Sequence, residues 1–142
     1  MINKIDIAWL AGIIDGEGCI YPHVTNKRQG NHNLCFRVEA QATSIRMIDE
    51  IERIYTAMEI RFIRSGPRMQ PLSTRPAYKI IVQRGDAVLL LLSTIASFLR
   101  VKDLEANAVI GFLNDRINLN VVHSIASRYE LVDRVRLLKK LA

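Results

Sequence analysis

Cysteine is scarce in this 142-residue sequence: there are two, Cys19 and Cys35, and they lack the spacing of metal ligands. We interpret both as free thiols, which predicts a reducing compartment. The N-terminus lacks the pattern of a signal peptide. The longest apolar run, residues 87–99, is too short to span a bilayer and contains serine and threonine. These absences predict an intracellular protein without membrane association.

Acidic residues are too few to balance the basic ones, and the imbalance is confined to one part of the chain. The net charge is +6. Residues 19–84 contain 11 lysines and arginines against 5 acidic residues, whereas the rest of the chain contains 9 of each. A basic segment within a neutral chain indicates a polyanionic partner such as nucleic acid, and the alternative is an ordinary solvated surface.

Hydrophobic periodicity and turn residues predict nine elements in the order α-β-β-α-β-β-α-α-α. The predicted ranges are 5–16, 19–27, 33–42, 45–57, 60–65, 77–83, 87–99, 103–119 and 124–141. Residues 28–31 are predicted to form a turn, and residues 66–76, with three prolines, a long loop. No linker or low-complexity segment interrupts this order. We therefore expect one domain over residues 1–142, with a core of about 5–119 and a C-terminal helix of about 124–141.

Two hairpins separated by a helix can form one four-stranded antiparallel sheet, which makes the predicted fold α+β with helices on one face. The other face would then be polar and net basic. Its predicted residues are Tyr21, His23, Thr25, Lys27, Arg37, Glu39, Gln41, Arg61 and Lys79. Such a face could lie in the major groove of DNA, which admits β-ribbons. The alternative is the solvated side of an α+β sandwich, which Glu39 fits equally well.

The first predicted helix contains a stripe of small residues. Ala8, Gly12 and Gly16 recur every four residues, and Ala11 lies beside them. Because glycine inside a helix costs about 1 kcal/mol relative to alanine, two glycines indicate a packing role. Small residues allow two helix backbones to approach closely. The partner is either the same helix of a second subunit, across a two-fold axis, or the sheet of the same molecule.

Two acidic residues, Asp15 and Glu17, stand at the end of this apolar helix. The C-terminal end of a helix carries partial negative charge, which disfavours a carboxylate there. If two such helices pair, the two copies of Glu17 also repel each other, an arrangement that suits a bound cation. Carboxylate and carbonyl oxygens suit Mg²⁺, and ions held near a two-fold axis can activate water against a phosphodiester. The alternative is that Glu17 is merely solvated.

The segment Trp9 to Gly18, W-L-A-G-I-I-D-G-E-G, closely resembles the signature of the LAGLIDADG homing endonucleases. Seven residues match the signature directly: Leu10, Ala11, Gly12, Ile14, Asp15, Gly16 and Gly18. Ile13 stands at a leucine position, and Glu17 stands at the catalytic acid position, where the family uses Asp or Glu. The resemblance extends over roughly residues 5–119, because the predicted element order also agrees.

The resemblance implies a site-specific DNA endonuclease with a saddle-shaped sheet. Single-motif chains of this family are homodimers in which two motif helices pack at the centre and each sheet lies in the major groove of one half-site. We therefore expect a homodimer that cuts both strands of a long, nearly palindromic target with Mg²⁺ and leaves short 3′ overhangs. The expected interface residues are Ala8, Ala11, Gly12, Asp15 and Gly16.

The resemblance also implies the roles of individual residues. Glu17 is expected to be the essential acid and a metal ligand, with the carbonyl of Gly16 as a second ligand. Lys102 lies in a segment like the one that carries the family's basic active-site residue, where lysine can orient water or stabilise charge on phosphate. Gln41 resembles a glutamine that positions water, although an ungapped comparison places Ala40 there. Asp15 is expected to serve helix packing and capping.

The chain departs from the family pattern at one point. The basic residue expected shortly after the second strand is not matched, because Ser44 falls at that place, with Arg46 nearby. For contact with DNA we expect the polar sheet residues given above. Further arginines expected at phosphates are Arg28, Arg64, Arg68 and Arg75. The alternation of side chains along the third strand places Arg64 on the face opposite the polar one.

Relatives with this fold are not all nucleases. Some are maturases that assist the splicing of their own intron RNA, and others are regulators that bind DNA without cleaving it. Such relatives can lose the acid, so the presence of Glu17 favours cleavage. One protein can also be both nuclease and maturase, which leaves its own intron RNA open as a further partner.

Overall fold

The computed structural model describes residues 2–69 and 71–141, which form α-helices, β-strands and two short 3₁₀ turns. The elements in chain order are α1 (Lys4–Glu17), β1 (Gly18–Thr25), a 3₁₀ turn (Lys27–Gln29), β2 (Asn33–Ala42), α2 (Ile45–Ala57), β3 (Ile63–Arg68), β4 (Ala77–Val82), α3 (Gly85–Ile95), a 3₁₀ turn (Ala96–Phe98), α4 (Asp103–Asn118) and α5 (Ile125–Leu141). Among the described residues, no helix is long and apolar enough to cross a membrane.

Helix α1 begins at a capping box and ends directly against a strand. The Asn3 side chain accepts a hydrogen bond from the Asp6 N–H at 2.9 Å, and the Asp6 carboxylate accepts one from the Asn3 N–H. At the other end, Gly18 is both the C-cap of α1 and the first residue of β1. A Cβ atom at Gly18 would lie 2.7 Å from the Ile14 carbonyl oxygen, so only glycine fits this junction.

The four strands form one antiparallel sheet in the order β1-β2-β4-β3, which confirms the predicted α+β fold. The two hairpins join through the central pair β2 and β4, where Gln41 faces Lys79 and Glu39 faces Ile81. Alternate residues of β2, such as Leu34, Phe36 and Val38, point into the hydrophobic core. The helices pack on this apolar face and leave the other face polar.

Strand β3 lies three residues later than the sequence pattern predicts. The predicted strand 60–65 begins with Ile60, whose N–H instead donates to the Tyr55 carbonyl at the end of α2 and whose side chain is buried. The strand then continues past Ser65 through a bulge, because Arg68 pairs with Ala77 while Ser65 pairs with Lys79. Part of the predicted loop 66–76 therefore belongs to the sheet.

Two other elements also differ from their predicted ranges. The first strand ends at Thr25, not at Lys27, because Asn26 takes a left-handed conformation with φ of 59° and starts the 3₁₀ turn. The leucine-rich helix begins at Gly85 and ends at Ile95, not at Leu99, since a 3₁₀ turn follows it. The second strand and second helix occupy the predicted ranges, 33–42 and 45–57.

Helix α5 packs along the edge strand β1 and against α4. Leu131, Val132 and Val135 are its buried residues, and they belong to the same hydrophobic cluster as the sheet and α1. The C-terminal helix thus supports the outermost strand of the sheet.

Candidate functional site

Glu17 is the last residue of α1, and its side chain is exposed at the junction with the sheet. Within the described part of the chain, its carboxylate takes part in no hydrogen bond or ion pair. The neighbouring Gly16 is also exposed, with open space where a Cβ would lie. The Glu17 side chain and Gly16 are therefore exposed next to each other at the helix end.

Asp15 faces the interior of its own chain. Its carboxylate accepts backbone hydrogen bonds from Arg100 at 2.8 Å, Val101 at 3.2 Å and Lys102 at 3.0 Å. Burial raises the pKa of Asp15, but these donors outweigh burial, so its pKa lies below the ordinary value. This is the capping role expected for Asp15, performed on the connection that precedes α4. Its carboxylate is consequently occupied by its own chain, and its expected place in a subunit interface stays a prediction.

Lys102 lies at the same helix end as Glu17. Its ammonium group donates a hydrogen bond to the backbone carbonyl of Asp15, one of the α1 carbonyls left without an intrahelical partner. A cation here compensates the partial negative charge of the helix terminus. The predicted basic residue is thus placed next to the Gly16 and Glu17 backbone by a direct contact.

Gln41 and Glu17 line one shallow surface pocket, together with Thr43, Ser44 and Ala77. Ala40, the residue of the ungapped comparison, points the other way and is buried in the core. Of the two candidate positions, Gln41 is therefore the one whose side chain shares a surface with Glu17. Ser44 instead caps α2, since its hydroxyl accepts from the Met47 N–H at 3.2 Å.

The small-residue stripe on α1 is open to solvent. Ala8, Gly12 and Gly16 are exposed, and Ile5 at the start of the same face is 79% exposed. Cβ atoms at Gly12 and Gly16 would meet nothing within 4 Å, so neither glycine serves close packing inside this chain. Ala11 does not belong to this surface: it is fully buried in its own core, which excludes it from the interface predicted for it.

The polar face of the sheet carries Gln41 and six further predicted DNA contacts in register. Tyr21 pairs with Arg37, Gln41 pairs with Lys79, and His23 pairs with Cys35. Glu39 forms an ion pair with Lys79 at 3.0 Å, and Arg37 donates to the Tyr21 hydroxyl at 3.3 Å. Thr25 lies on this face as well, within 3.5 Å of the Cys35 sulfur.

Burial lowers the pKa of His23, and the nearby Arg37 guanidinium lowers it further. Both side chains lie on the polar face. The Nδ1 atom of His23 and the Nε atom of Arg37 are buried without a hydrogen-bond partner within the described residues. They are therefore polar groups with unused hydrogen-bonding capacity on this face.

Two predicted DNA contacts lie elsewhere. Arg64 points to the helix side of β3, where it forms ion pairs with Asp49 at 2.7 Å and Glu52 at 2.6 Å. Arg61 precedes β3 and lies near Arg84, at the start of α3. The polar face therefore includes neither arginine. Arg64 lies on the opposite face of the strand, and Arg61 lies outside the strand because β3 starts later than predicted.

The remaining predicted contacts lie on the rims of the polar face. Lys27 and Arg28 are exposed in the turn between β1 and β2. Arg68 ends β3, where the bulge sets it opposite Ala77, and Arg75 lies in the following loop. These four cations lie around the margin of the sheet and outside the paired positions at its centre.

Sequence reasoning missed the contribution of α5 to this surface. The Lys139 ammonium lies 3.2 Å from the Cys19 sulfur and 5.4 Å from the centre of the Tyr21 ring, both on β1. Lys139 also lies near Glu105, which is only 2% exposed; burial raises the pKa of Glu105, although Lys139 and Lys102 oppose the rise. The run of basic residues late in α5 is the one signal in the sequence that could have indicated this contact.

The accessible oxygens at the end of α1 fit a divalent metal ion in their chemistry. The Glu17 carboxylate and the Gly16 carbonyl are hard oxygen ligands of the kind that Mg²⁺ prefers. Among the described residues of one chain, no group of three or more His, Cys, Asp or Glu is placed to hold a metal. One chain by itself offers only part of the ligand set that was predicted for a pair.

The fold of this chain is that of the LAGLIDADG homing endonucleases. The solved structure of the homing endonuclease I-CvuI, in complex with the I-CreI target, matches 95% of this chain and 82% of its own, with a TM-score of 0.74 and 19% identity. The archaeal intron-encoded homing endonuclease I-Vdi141I, complexed with DNA, matches 98% of this chain and 85% of its own, with a TM-score of 0.69 and 20% identity.

A third similar structure belongs to a longer chain. The LAGLIDADG meganuclease I-AabMI, bound to uncleaved DNA, matches 97% of this chain but only 44% of its own, with a TM-score of 0.61 and 18% identity. This chain thus corresponds to less than half of I-AabMI. No protein-family model matches the chain, and no curated protein matches it in sequence.

Proposed function

We propose that the protein is a site-specific double-strand DNA endonuclease that uses a divalent metal ion and acts as a homodimer. The observation that carries this proposal is the exposed Glu17 carboxylate at the end of α1, which has no partner among the described residues and lies between an open small-residue helix face and a polar sheet face. Structures of the similar endonucleases I-CvuI and I-Vdi141I contain bound DNA, and those of I-CvuI were obtained with 2 mM Mg or 2 mM Ca.

In the proposed dimer, the exposed faces of two α1 helices pack against each other through Ala8, Gly12 and Gly16. This brings two Glu17 carboxylates together, where two metal ions can neutralise them. A bound Mg²⁺ would supply Lewis acidity and lower the pKa of a water molecule for attack on phosphorus. Glu17 and the Gly16 carbonyl would hold the ion.

The other residues at this helix end act on water and on phosphate. Lys102 brings a positive charge to a position where it can stabilise the charge that develops on the scissile phosphate. Gln41 has both donor and acceptor groups beside the Glu17 pocket, so it can orient the attacking water. The polar sheet face, with Arg37 and Lys79 at its centre, would lie in the major groove of one half-site.

The test compares the wild type with Glu17→Gln on a randomised DNA library, in Mg²⁺ and in Ca²⁺. We expect double-strand cuts with short 3′ overhangs by the wild type in Mg²⁺. The substitution removes a metal ligand worth several kcal/mol of transition-state stabilisation, so cleavage falls about 100-fold or more. Specific binding in Ca²⁺ is expected to persist.

The matched control is Glu59→Gln, which removes the same charge from an exposed residue at the far end of α2. It should cut like the wild type. Specific binding without any cut by the wild type would indicate a regulator on the same fold. Affinity for structured RNA without DNA binding would indicate an intron maturase.

A further inference from the structure

The connection between β1 and β2, residues 26–32, is exposed and has an unusual backbone. Asn26, Gly30 and His32 all have positive φ, at 59°, 76° and 48°. Left-handed conformations are uncommon for residues other than glycine, although asparagine and histidine adopt them more readily than most, so contacts that hold His32 help to keep this backbone in place. Between these positions, the 3₁₀ turn presents Lys27 and Arg28 to solvent.

Helix α5 provides that support through two consecutive residues. The Arg128 guanidinium donates to the backbone carbonyl oxygens of Asn31 at 3.2 Å and His32 at 3.0 Å. The Tyr129 hydroxyl lies 2.8 Å from Nδ1 of His32, in hydrogen-bond contact. The Lys27 ammonium lies 5.7 Å from the centre of the Tyr129 ring, within the range of a cation–π contact.

These two residues stand on a firmly packed element. Leu131, Val132 and Val135, one turn or two further along α5, are buried in the main core. Arg116 of α4 also donates to the Leu34 carbonyl of β2, at 3.4 Å. The connection is therefore held from the helix layer.

The connection lies far from the acid at the helix end. Strand β1 starts next to Glu17 and ends at Thr25, which at about 3.3 Å per residue places the turn roughly 25 Å away. Any base pair that Lys27 or Arg28 reaches is therefore an outer one, remote from the scissile phosphates.

We propose that Arg128 and Tyr129 are positioning residues that fix the β1–β2 connection and thereby set how strictly the outer base pairs of each half-site are read. This inference rests on the proposed endonuclease function. A turn held in one conformation offers Lys27 and Arg28 to one set of DNA atoms, whereas a loose turn adapts to several sequences and pays its ordering entropy on binding. Loss of the support therefore reduces discrimination more than affinity.

The test uses Tyr129→Phe, which removes the hydroxyl but keeps the ring and the net charge, and Arg128→Ala. The control is Arg136→Ala, which removes the same charge from an arginine of α5 whose side chain is 74% exposed and whose ion pair within the described residues is a long one, 4.0 Å from Asp133. Hydrogen exchange of residues 26–32 is measured in the free protein. Binding in Ca²⁺, at several salt concentrations, and cleavage in Mg²⁺ are then measured on a set of single base-pair variants of the selected target.

We expect faster exchange at residues 26–32 in both variants and wild-type exchange in the control. A mismatched base pair ordinarily costs about 5- to 150-fold in binding. We expect this penalty to shrink at outer positions in Tyr129→Phe and Arg128→Ala and to stay unchanged at central positions. The control should keep the wild-type profile throughout.

Three results would overturn the proposal. Unchanged exchange in both variants would show that the contacts do not hold the turn. Faster exchange with unchanged discrimination between base pairs would show that the conformation of the turn does not affect sequence recognition. A uniform loss of affinity in Arg128→Ala, with the salt slope of binding reduced by about one, would make Arg128 a direct phosphate contact instead. Failure of the endonuclease function itself is visible separately, because the wild type would then not cut DNA.

Discussion

Asp15 and Glu17 stand two residues apart in the sequence, yet they have opposite surroundings. Two helical positions turn the side chain by about 200°, so one acid faces the core side of α1 and the other faces solvent. Asp15 uses its carboxylate on three backbone N–H groups, while Glu17 keeps its carboxylate exposed. The same residue chemistry therefore serves structure at one position and is available for chemistry at the other.

His23 provides a testable prediction at the level of single residues. Its pKa is lowered in the folded protein by burial and by Arg37. The unfolded chain therefore takes up a proton first as the pH falls through the ordinary histidine pKa of about 6.5, and folding stability is lost there. We expect His23→Gln to remove this part of the pH dependence, as measured by urea unfolding between about pH 7.5 and 5.5.

The comparison is between slopes, so a uniform change in stability on substitution does not matter. The wild type should lose more stability than His23→Gln over this interval. Parallel curves for the two proteins would show that His23 has the same proton affinity in the folded and unfolded states.

At the level of elements, α1 is joined to the start of α4 by a group of hydrogen bonds around one carboxylate. Asp15 accepts from residues 100–102, and Lys102 returns a bond to the Asp15 carbonyl. The acid at the end of α1 and the basic residue before α4 are therefore held in a fixed relation. This relation depends on a residue that itself faces away from the exposed site.

Asp15→Asn is expected to weaken this link. Hydrogen bonds to a charged group are worth about 1.5–3 kcal/mol, and the variant loses the charge, so unfolding free energy at neutral pH should fall by an amount of this order. Because the folded pKa of Asp15 is lowered, its stabilisation is present above the ordinary aspartate pKa of about 3.9 and is lost as the pH falls below it. The difference between variant and wild type, measured by urea unfolding, should therefore shrink in acid.

Asp133→Asn serves as the control, because Asp133 is an exposed carboxylate of α5 with one distant ion pair. It should cost little at any pH. A pH-independent deficit in Asp15→Asn would contradict the assignment, since it would mean that the carboxylate charge contributes nothing to the link.

The elements were predictable where one local pattern decides the structure. Strict alternation defines β2, and helical spacing after a serine cap defines α2, so both occupy the predicted ranges. Strand β3 was misplaced because Ile60 is buried by contact with the end of α2, a tertiary effect that alternation cannot show. The bulge after Ser65 was missed for a different reason: the glycine and proline that follow Ser65 are typical of a loop, so the strand was predicted to end there.

At the scale of the whole molecule, α1 has one face in the core and one face that no other described element of its own chain covers. Beyond its own helix backbone and chain neighbours, a methyl group at Gly12 would meet no atom of the described residues within 4 Å. Gly12→Ala should therefore stabilise the isolated chain by up to about 1 kcal/mol through helix propensity. In the proposed dimer the same methyl groups would keep the helices apart, at a cost of about 1–3 kcal/mol, which weakens self-association roughly 5- to 150-fold.

Gly111→Ala is the matched control, because Gly111 is an exposed glycine inside α4 with equally open space. It should raise stability without any effect on association. Analytical ultracentrifugation of both variants separates the two effects. Equal association by Gly12→Ala and wild type would exclude the stripe as the contact between subunits.

The candidate site was predictable in its centre and less so at its borders. The motif located Glu17, and the resemblance located Lys102 and Gln41, which the fold brings to one helix end or to one pocket. The orientation of Arg64 followed from its position in the alternation, but its partners Asp49 and Glu52 did not. The contacts of α5 with β1 join residues more than a hundred positions apart, and the run of basic residues late in α5 was their sole local signal.

The arrangement of the sheet margins also affects how the protein behaves at high concentration. A sheet of four strands has two edges, and an open edge can recruit strands from other molecules and start aggregation. Here α5 packs along β1, while β3 contains a bulge and Pro67, a residue without an N–H group to donate to a neighbouring strand. Growth of intermolecular β-structure is thereby discouraged at both margins, which favours a concentrated sample that stays dispersed during purification.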